Sequence, residues 1–149
     1  MKLLIVGDSH GNIANLKHVM GFAKSIKAVA VIHTGDWHNF DNIKIVNDYG
    51  IPLYSCLGNA DIDPRFKFEK YVKLEIDGIT IGIVHRLSKE YLLTAKGCSV
   101  IFTGHYHSQK ELEVGGMKII RPGALENGIN FAIFDTKNKM VEFVNDEQI

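Results

Sequence analysis

The sequence has 149 residues, and its 17 lysine and arginine residues balance its 17 aspartate and glutamate residues. This length suits one domain with its own hydrophobic core, so we expect a single domain spanning residues 1–149. The balanced charge argues against an extended nucleic-acid surface. Every hydrophobic run is shorter than the ~20 residues of a membrane helix, so no membrane partner is expected.

Two cysteines, Cys56 and Cys98, lie far apart in apolar segments. The N-terminus lacks the charged and apolar leader that is typical of secreted proteins. Both features indicate a reducing compartment. We therefore expect a cytoplasmic protein.

The first half of the chain alternates between buried strands and helices. Hydrophobic runs predict strands at 1–6, 28–33 and 52–57. Helical spacing of apolar residues predicts a helix that begins near Ile13 and a shorter helix at 41–49. Alternation of this kind is typical of parallel strands.

The second half is predicted to be mostly β. Strands at 71–76 and 79–84 flank Asp77-Gly78, a two-residue turn typical of an antiparallel hairpin. A helix is predicted at 88–96, with Ser88 as its N-cap. Further strands are predicted at 99–103, 111–114, 117–120, 130–134 and 140–144, with a Gly115-Gly116 turn between the second and the third. The pattern predicts two packed sheets with helices outside.

Acidic, amide or imidazole side chains follow five of the predicted strands at the point where each strand ends. In open α/β sheets, the loops beyond the carboxyl ends of the strands build the functional site. We therefore expect these side chains to converge at one edge. The side chains are those of Asp8, His10, Asp36, Asn59, His85, His105 and His107.

This set of side chains predicts a metal centre. Mixed nitrogen and oxygen ligands suit Mn²⁺, Fe, Ni²⁺ or Zn²⁺ better than Ca²⁺. Seven ligands would crowd one cation, whereas two divalent cations leave a positive excess that hydroxide and an anionic substrate neutralise. We expect two divalent cations, Mn²⁺ first and Ni²⁺, Fe or Zn²⁺ as alternatives. Because such a pair activates water and polarises a phosphoryl group, the predicted reaction is phosphoester hydrolysis.

Five short blocks carry a resemblance to a known family. They occur in the order Asp8-x-His10, Gly35-Asp36, Gly58-Asn59, His85 and Gly104-His105-Tyr106-His107. With these blocks the sequence resembles the calcineurin-like metallophosphoesterase superfamily, specifically its short branch of archaeal and bacterial phosphodiesterases. The resemblance spans essentially the whole chain.

The resemblance implies a fold and a ligand set. The fold is a four-layer αββα sandwich, in which two mixed β-sheets pack face to face with helices outside. One cation would be held by Asp8, His10, Asp36 and His107, and the other by Asp36, Asn59, His85 and His105. Asp36 would be the bridge. The implied activity is that of a phosphodiesterase in which a metal-bridging hydroxide attacks phosphorus in line.

The sequence departs from the family at the position after Asn59. Many members have a histidine there that protonates the leaving group, whereas this chain has Ala60. Asp61 follows and stays among the expected catalytic residues, which also include His10, Asn59 and Arg86. We expect slow protonation to favour diesters with acidic leaving groups, because such groups can depart as anions.

Arg86 is a second departure, because the family usually has glycine after the histidine that corresponds to His85. A third is the segment Arg121-Pro122-Gly123-Ala124, which replaces an Asn-Pro-Gly-Ser type of sequence. Arg86 either clamps a substrate phosphate oxygen or is a surface arginine with no catalytic part. In the predicted reaction, His10 or Arg86 would stabilise the developing charge together with the cations.

The remaining histidines are predicted to lie outside the metal centre. We expect His33 to be a hydrogen-bonded core residue and His18 to lie on the solvated side of the first helix. Trp37 and His38 either wall the cleft or pack within their loop.

Two alternative functions stay open. One is a phosphomonoesterase of the same fold, and the other is a scaffold subunit, as in the retromer scaffold, where the fold binds partners and has lost turnover. Scaffold members generally lose ligands, whereas none of the seven is missing here. The expected partner is a small phosphodiester substrate, and a homo-oligomer is compatible with the sequence.

Overall fold

The computed structural model describes residues 1–146. Within this range the chain forms two five-stranded sheets and flanking helices. In chain order the elements are β1 (Lys2–Val6), α1 (Ile13–Ser25), β2 (Ala30–His33), α2 (Asn42–Asn47), β3 (Leu53–Ser55), β4 (Tyr71–Ile76), β5 (Ile79–Val84), α3 (Lys89–Thr94), β6 (Val100–Thr103), β7 (Gln109–Val114), β8 (Met117–Pro122), β9 (Phe131–Asp135) and β10 (Val141–Val144).

The first sheet has the strand order β10-β9-β1-β2-β3. Strands β1, β2 and β3 are parallel, and β9 and β10 run antiparallel to their neighbours. Val6 lies beside His33, and His33 lies beside Ser55, so the three parallel strands end level with one another. The loops that follow them therefore leave the sheet side by side.

The second sheet has the strand order β4-β5-β6-β8-β7. Strands β5, β6 and β8 are parallel, while β4 and β7 close the two edges as antiparallel hairpin partners. Val84 lies beside Thr103, so β5 and β6 also end level.

The core has three apolar layers, which makes the molecule a four-layer αββα sandwich. The central layer joins the two sheets and contains Ile5, Ile32, Ile83 and Phe102 among its buried residues. A second layer packs α1 and α2 on the outer face of the first sheet. A third covers the outer face of the second sheet beside α3. The predicted fold class is confirmed.

The predicted elements are present, and their ends differ where contacts distant in sequence decide them. The strand predicted at 52–57 is shorter in the structure, where β3 has three residues. After β3 the chain leaves the sheet, and Leu57 N–H donates to the Glu69 carbonyl oxygen (2.8 Å). The helix predicted at 41–49 is shorter by three residues. The strand predicted at 111–114 begins earlier, at Gln109.

Local signals in the second half are confirmed. Asp77 and Gly78 have φ values of 53° and 76°, the left-handed pair that a tight hairpin turn requires. The Ser88 side chain accepts a hydrogen bond from Tyr91 N–H (3.2 Å), as expected of an N-cap. No helix within residues 1–146 has the length and apolar character that a membrane crossing needs.

Candidate metal centre

The predicted site residues lie at one edge of the sandwich, where five strand ends meet. Backbone hydrogen bonds continue the pairing of β1 and β2 into the loops beyond them. Asp8 N–H donates to the Gly35 carbonyl oxygen (3.0 Å), and His10 N–H donates to the Asp36 carbonyl oxygen (3.0 Å). This ladder holds the first two loops in a fixed register.

The backbone is left-handed at most of the predicted ligands. The φ angles are 47° at Asp8, 44° at His10, 65° at Asp36, 76° at His105 and 59° at His107. Aspartate tolerates this region better than most residues, and so does histidine, yet each instance costs energy. The concentration of such residues in these loops turns their side chains toward one place.

Glycines allow the loops to approach this closely. A Cβ atom added to Gly7 would overlap Thr34 Oγ1, and one added to Gly104 would lie 2.6 Å from the same oxygen. A Cβ atom added to Gly58 would overlap the backbone nitrogen of Asp36. Real Cβ atoms do not approach other atoms this closely, so glycine is needed at these three positions for packing between loops.

Each carboxylate is fixed through one oxygen and directs the other into the site. Asp8 Oδ2 accepts a hydrogen bond from His105 N–H (3.0 Å), which links the two sheets. Asp36 Oδ1 accepts from Ala60 N–H (2.8 Å). Asp8 Oδ1 and Asp36 Oδ2 are thereby left for another partner.

Asp8, Asp36 and His85 form what we call the deep group, since all three are buried. His85 Nδ1–H donates to the Thr34 carbonyl oxygen (2.8 Å), which directs Nε2 into the site. His85 Nε2 lies 3.2 Å from Asp36 Oδ2 and 3.9 Å from Asp8 Oδ1. The three ligand atoms are close enough to share one cation.

Asp8, His10 and His107 form the open group, in which the histidine side chains are 21% and 42% exposed. His10 Nε2 lies 3.9 Å from Asp8 Oδ1, and His107 Nε2 lies 3.5 Å from the same oxygen. His10 Nε2 is also 3.4 Å from Asp36 Oδ2. Asp36 Oδ2 therefore lies between His10 and His85, where a bridging ligand is expected.

The chemistry of these atoms fits a metal centre. Asp8 Oδ1, His10 Nε2 and His85 Nε2 are buried and have no hydrogen-bond partner within the described residues. A buried polar atom without a partner is costly. Carboxylate oxygens and imidazole nitrogens are metal ligands, so one cation in the deep group and one in the open group would give all three atoms partners.

The two carboxyl groups differ in acidity. Burial raises the pKa of Asp8 to about 6, although His85 and His107 oppose the change. Burial would also raise the pKa of Asp36, but contact with the His85 ring and the hydrogen bond from Ala60 N–H outweigh it and lower the pKa to about 2. Burial would lower the pKa of His85, and the Asp36 carboxylate raises it instead.

Asn59 and His105 lie beside the two groups. Asn59 is exposed and lines a cleft next to His85. The His105 ring packs edge-on against His85, with 5.2 Å between ring centroids. The deep group also contains Asp8, which the resemblance assigned to the other cation. Their role as ligands stays a prediction.

Asp61 does not present a carboxyl group to the site. Its Oδ2 accepts hydrogen bonds from the backbone N–H groups of Asp36 (3.0 Å) and Gly58 (2.8 Å), and its Oδ1 accepts from that of His38 (2.9 Å). The buried carboxylate joins two of the site loops. Its geometry is that of a positioning residue, which differs from the catalytic role predicted from the sequence.

The prediction for His33 is confirmed. It is fully buried, its Nδ1 accepts a hydrogen bond from Gly35 N–H (3.0 Å), and its Nε2 lies 3.0 Å from Ser9 Oγ. Burial lowers the pKa of His33 to about 3, so the ring is neutral. It stacks on Trp37, with 3.9 Å between centroids.

The outcomes for the other residues are mixed. Trp37 is buried and donates from Nε1 to Ser55 Oγ (2.9 Å), so it packs within the core instead of walling the cleft. His38 is exposed, and its ring lies 6.3 Å from that of His10. His18 is exposed on α1, as predicted.

Sequence reasoning missed two neighbours of the site. The Thr34 carbonyl oxygen orients His85, and a backbone group gives no signal in a sequence. Glu126 Oε2 lies 4.0 Å from His107 Nδ1. Glu126 follows the departing segment 121–124, and nothing in its local sequence connects it with a histidine nineteen positions earlier.

Comparison with known families decides the class of the molecule. Residues 1–139 match the family model described as the calcineurin-like phosphoesterase superfamily domain. The chain belongs to this superfamily. The resemblance noted from the five blocks is thus confirmed.

A curated relative of this phosphoesterase chain is a phosphodiesterase from Methanocaldococcus jannaschii. The two are 25% identical over 158 residues, which cover 93% of this chain and 95% of the relative.

Several solved structures share the fold. One is described as a novel archaeal phosphodiesterase, with a TM-score of 0.84, 22% identity and coverage of 97% of this chain and 99% of that one. A predicted phosphoesterase from Streptococcus pneumoniae has a TM-score of 0.81, 17% identity and coverage of 98% and 90%. Vps29 from Entamoeba histolytica, complexed with Zn²⁺, has a TM-score of 0.68, 17% identity and coverage of 97% and 99%.

Proposed function

We propose that this chain is a metal-dependent phosphodiesterase that hydrolyses small phosphodiesters at a centre for two divalent cations. The observation that carries the proposal is the convergence of the deep and open groups on unpartnered, buried ligand atoms. Membership of the phosphoesterase superfamily and the likeness to archaeal phosphodiesterases support it.

The reaction adds water across one P–O ester bond and yields a phosphomonoester and an alcohol. When bound, two divalent cations would polarise the phosphoryl group, activate water and neutralise the developing charge of an in-line displacement. Mn²⁺ is the metal we propose first, with Ni²⁺, Fe and Zn²⁺ as alternatives.

The protein contributes position. Asp8 and Asp36 are held by backbone donors, so their free oxygens cannot rotate out of the site. His85 is oriented by the Thr34 carbonyl oxygen, and the loops are joined through Asp61. Because the groups are fixed before substrate arrives, little reorganisation is needed during the reaction.

The side chain at position 60 supplies no proton, since it is alanine. Without a proton donor at this position, departure of the leaving oxygen as an anion is favoured. This supports a preference for acidic leaving groups.

The test is hydrolysis of bis(p-nitrophenyl) phosphate by protein treated with a chelator and then supplied with one metal at a time. We expect turnover to require metal and to exceed that of p-nitrophenyl phosphate. His85→Gln should lower it, and His18→Gln, a substitution on the exposed side of α1, should leave it unchanged. Calorimetry should give two cations per chain.

Other results would identify an alternative. Faster hydrolysis of the monoester would make the chain a phosphomonoesterase. Vps29 structures share the fold, so a non-catalytic scaffold subunit is the third candidate function. Absence of metal-dependent turnover on both esters would favour that scaffold.

A further inference from the structure

A cleft of about 420 Å³ opens directly beside the metal centre. Asn59 and His85 form its boundary with the deep group, and Leu57 and Val84 contribute its apolar floor. Its size is within the range of about 300–1,000 Å³ that is typical of small-molecule sites. A group bound there would be attached to a phosphate at the metal centre.

Two exposed cations, Lys70 and Arg86, also line the cleft. Leu57 N–H donates a hydrogen bond to the Glu69 carbonyl oxygen (2.8 Å). This hydrogen bond holds the segment that contains Lys70 next to the cleft. Arg86 directly follows His85, whose carbonyl oxygen accepts from Gly104 N–H (2.9 Å). Both cations are therefore attached to firmly held backbone.

The protein offsets only part of the positive charge of the cleft. Neither Lys70 nor Arg86 forms an ion pair with any residue in the range 1–146. The only carboxylate among the residues that line the cleft, within the described part of the chain, is Asp61. Its two oxygens already accept three backbone hydrogen bonds. The cleft therefore favours an anion.

The cleft also offers a flat apolar wall. Tyr91 lines it and stacks on Tyr71, with 5.9 Å between centroids and 18° between ring planes, which limits the freedom of the Tyr91 ring. Ile62 is 87% exposed at the rim. An exposed isoleucine next to an aromatic ring is a surface on which a planar ring can be buried.

We infer that this cleft binds one arm of a diester substrate that carries both a planar ring and a second phosphate, as a nucleotide does. The inference rests on the proposed function, because it places the scissile phosphate at the metal centre. Lys70 and Arg86 would bind the second phosphate, and Tyr91 and Ile62 would contact the ring. Arg86 thus determines specificity through a phosphate that does not react.

The experiment measures binding of thymidine 3′-phosphate, thymidine 5′-phosphate and thymidine 3′,5′-bisphosphate to the Mn²⁺-loaded protein by calorimetry. We expect the bisphosphate to bind about tenfold more tightly than either monophosphate, because charge-assisted contacts to two cations are added. In the double variant Lys70→Gln, Arg86→Gln the ratio should fall close to one. Lys73→Gln, which removes an exposed charge on β4 outside the cleft, should keep the ratio.

Two measurements separate the cleft inference from the proposed function. The ratio of bisphosphate affinity to monophosphate affinity, measured within one preparation, tests the cleft. Hydrolysis of bis(p-nitrophenyl) phosphate by the same preparation tests the function. Equal affinities in the wild type, or a ratio that survives the double substitution, would overturn the cleft inference. Preferred binding of the bisphosphate without metal-dependent turnover would sink the proposed function and leave the cleft as a nucleotide site. Failure of all three nucleotides to bind would refute the inference.

Discussion

The deep and open groups use the same aspartate in different surroundings. In the deep group, Asp8, Asp36 and His85 are at most 7% exposed, whereas the imidazoles of the open group are 21% and 42% exposed. A cation in the deep group would be surrounded by protein from both sheets. A cation in the open group would face solvent through His10 and His107.

The difference separates two tasks that one metal centre has to perform. Buried ligands can tie the two sheets together, since Asp8 and Asp36 follow strands of the first sheet and His85 follows a strand of the second. Partly exposed ligands leave room for a substrate to approach. We therefore expect the deep group to control stability and the open group to affect turnover with less effect on folding.

The largest effect should come from Asp8→Asn, because Asp8 belongs to both groups. Removing its charge should lower kcat/KM by about 10²–10³-fold, the loss seen when one electrostatic group of an active site is removed. Asparagine can still accept from His105 N–H, so the loop should keep its position. Exposed Asp48→Asn at the end of α2 is the control and should leave kcat/KM within error.

The same variant should gain stability when metal is absent. Burial raises the pKa of Asp8 from 3.8 to about 6, so its contribution to stability is full below pH 4 and is lost as the pH rises through 6. At pH 8 the ionised group costs up to about 3 kcal/mol, which Asp8→Asn would recover. Denaturant titration of the chelated proteins at pH 5 and pH 8 measures this. A variant less stable than wild type at pH 8 would contradict the assigned cost.

The next effect compares His85→Gln with His107→Gln. Metal at about 100 times its dissociation constant should stabilise the wild type by about 2.7 kcal/mol. His85→Gln should lose most of that gain, because the deep ligand is buried, and His107→Gln should keep most of it. Melting curves with and without Mn²⁺ provide the measurement. Equal losses of Mn²⁺-dependent stabilisation in both variants would show that the deep and open groups contribute equally to stability.

A smaller effect is expected from the glycines that let the loops approach. Gly58→Ala would push against the backbone nitrogen of Asp36 and should destabilise the protein by about 1–3 kcal/mol. Gly21 lies in α1 with open space at its Cβ position, so Gly21→Ala should stabilise by about 0.5–1 kcal/mol. Denaturant titration of both variants checks the opposite signs. A harmless Gly58→Ala would mean that the loops can separate at no cost.

Much of this architecture follows from local signals. The apolar runs predicted the strands, Asp77-Gly78 predicted a hairpin, and five strand exits predicted the position of the centre. These features depend on residues that are close in sequence. The ends of parallel strands come together when the paired residues at those ends lie side by side in the sheet. This is the case for Val6, His33 and Ser55.

What sequence could not predict depends on partners distant along the chain. Asp61 was placed among the expected catalytic residues, yet its carboxylate accepts a hydrogen bond from Asp36 N–H, twenty-five positions away. Asp8 was assigned to one cation, and the left-handed turn at residue 8 places its oxygen in both groups. The cleft could not be predicted either, because Lys70 and Arg86 are distant in sequence. The pairing of β4 with β5 brings both of them to the cleft beside His85.

The smallest effect should come from restoring a proton donor with Ala60→His. We expect at most about a tenfold gain, below the 10²–10⁴ of a well-placed acid, because the oxygens of the neighbouring Asp61 carboxylate already accept backbone hydrogen bonds and would not orient the new ring. The gain should appear on diesters with weakly acidic leaving groups and vanish on p-nitrophenyl esters. Rates plotted against leaving-group pKa for both proteins test this. Parallel plots would show that protonation does not limit the wild type.

Position 60 supplies only its backbone N–H to Asp36, so Ala60→Gly serves as the control and should retain metal binding. Proline there should weaken it, since proline has no N–H to donate. Metal titrations of these two variants separate the backbone contribution from that of the side chain.

The edge of the sandwich opposite the metal centre offers room for engineering. There the Thr136 hydroxyl donates to Asp77 Oδ2 (2.7 Å), joining the hairpin turn of the second sheet to the end of β9 in the first. Lys2, at the start of β1, pairs with Asp135 at this edge. Asn138 and Lys139 are exposed next to this edge, and a fluorescent reporter inserted there would lie a full strand length from the metal ligands. The labelled protein would serve as a sensor of metal occupancy with its catalytic site unchanged.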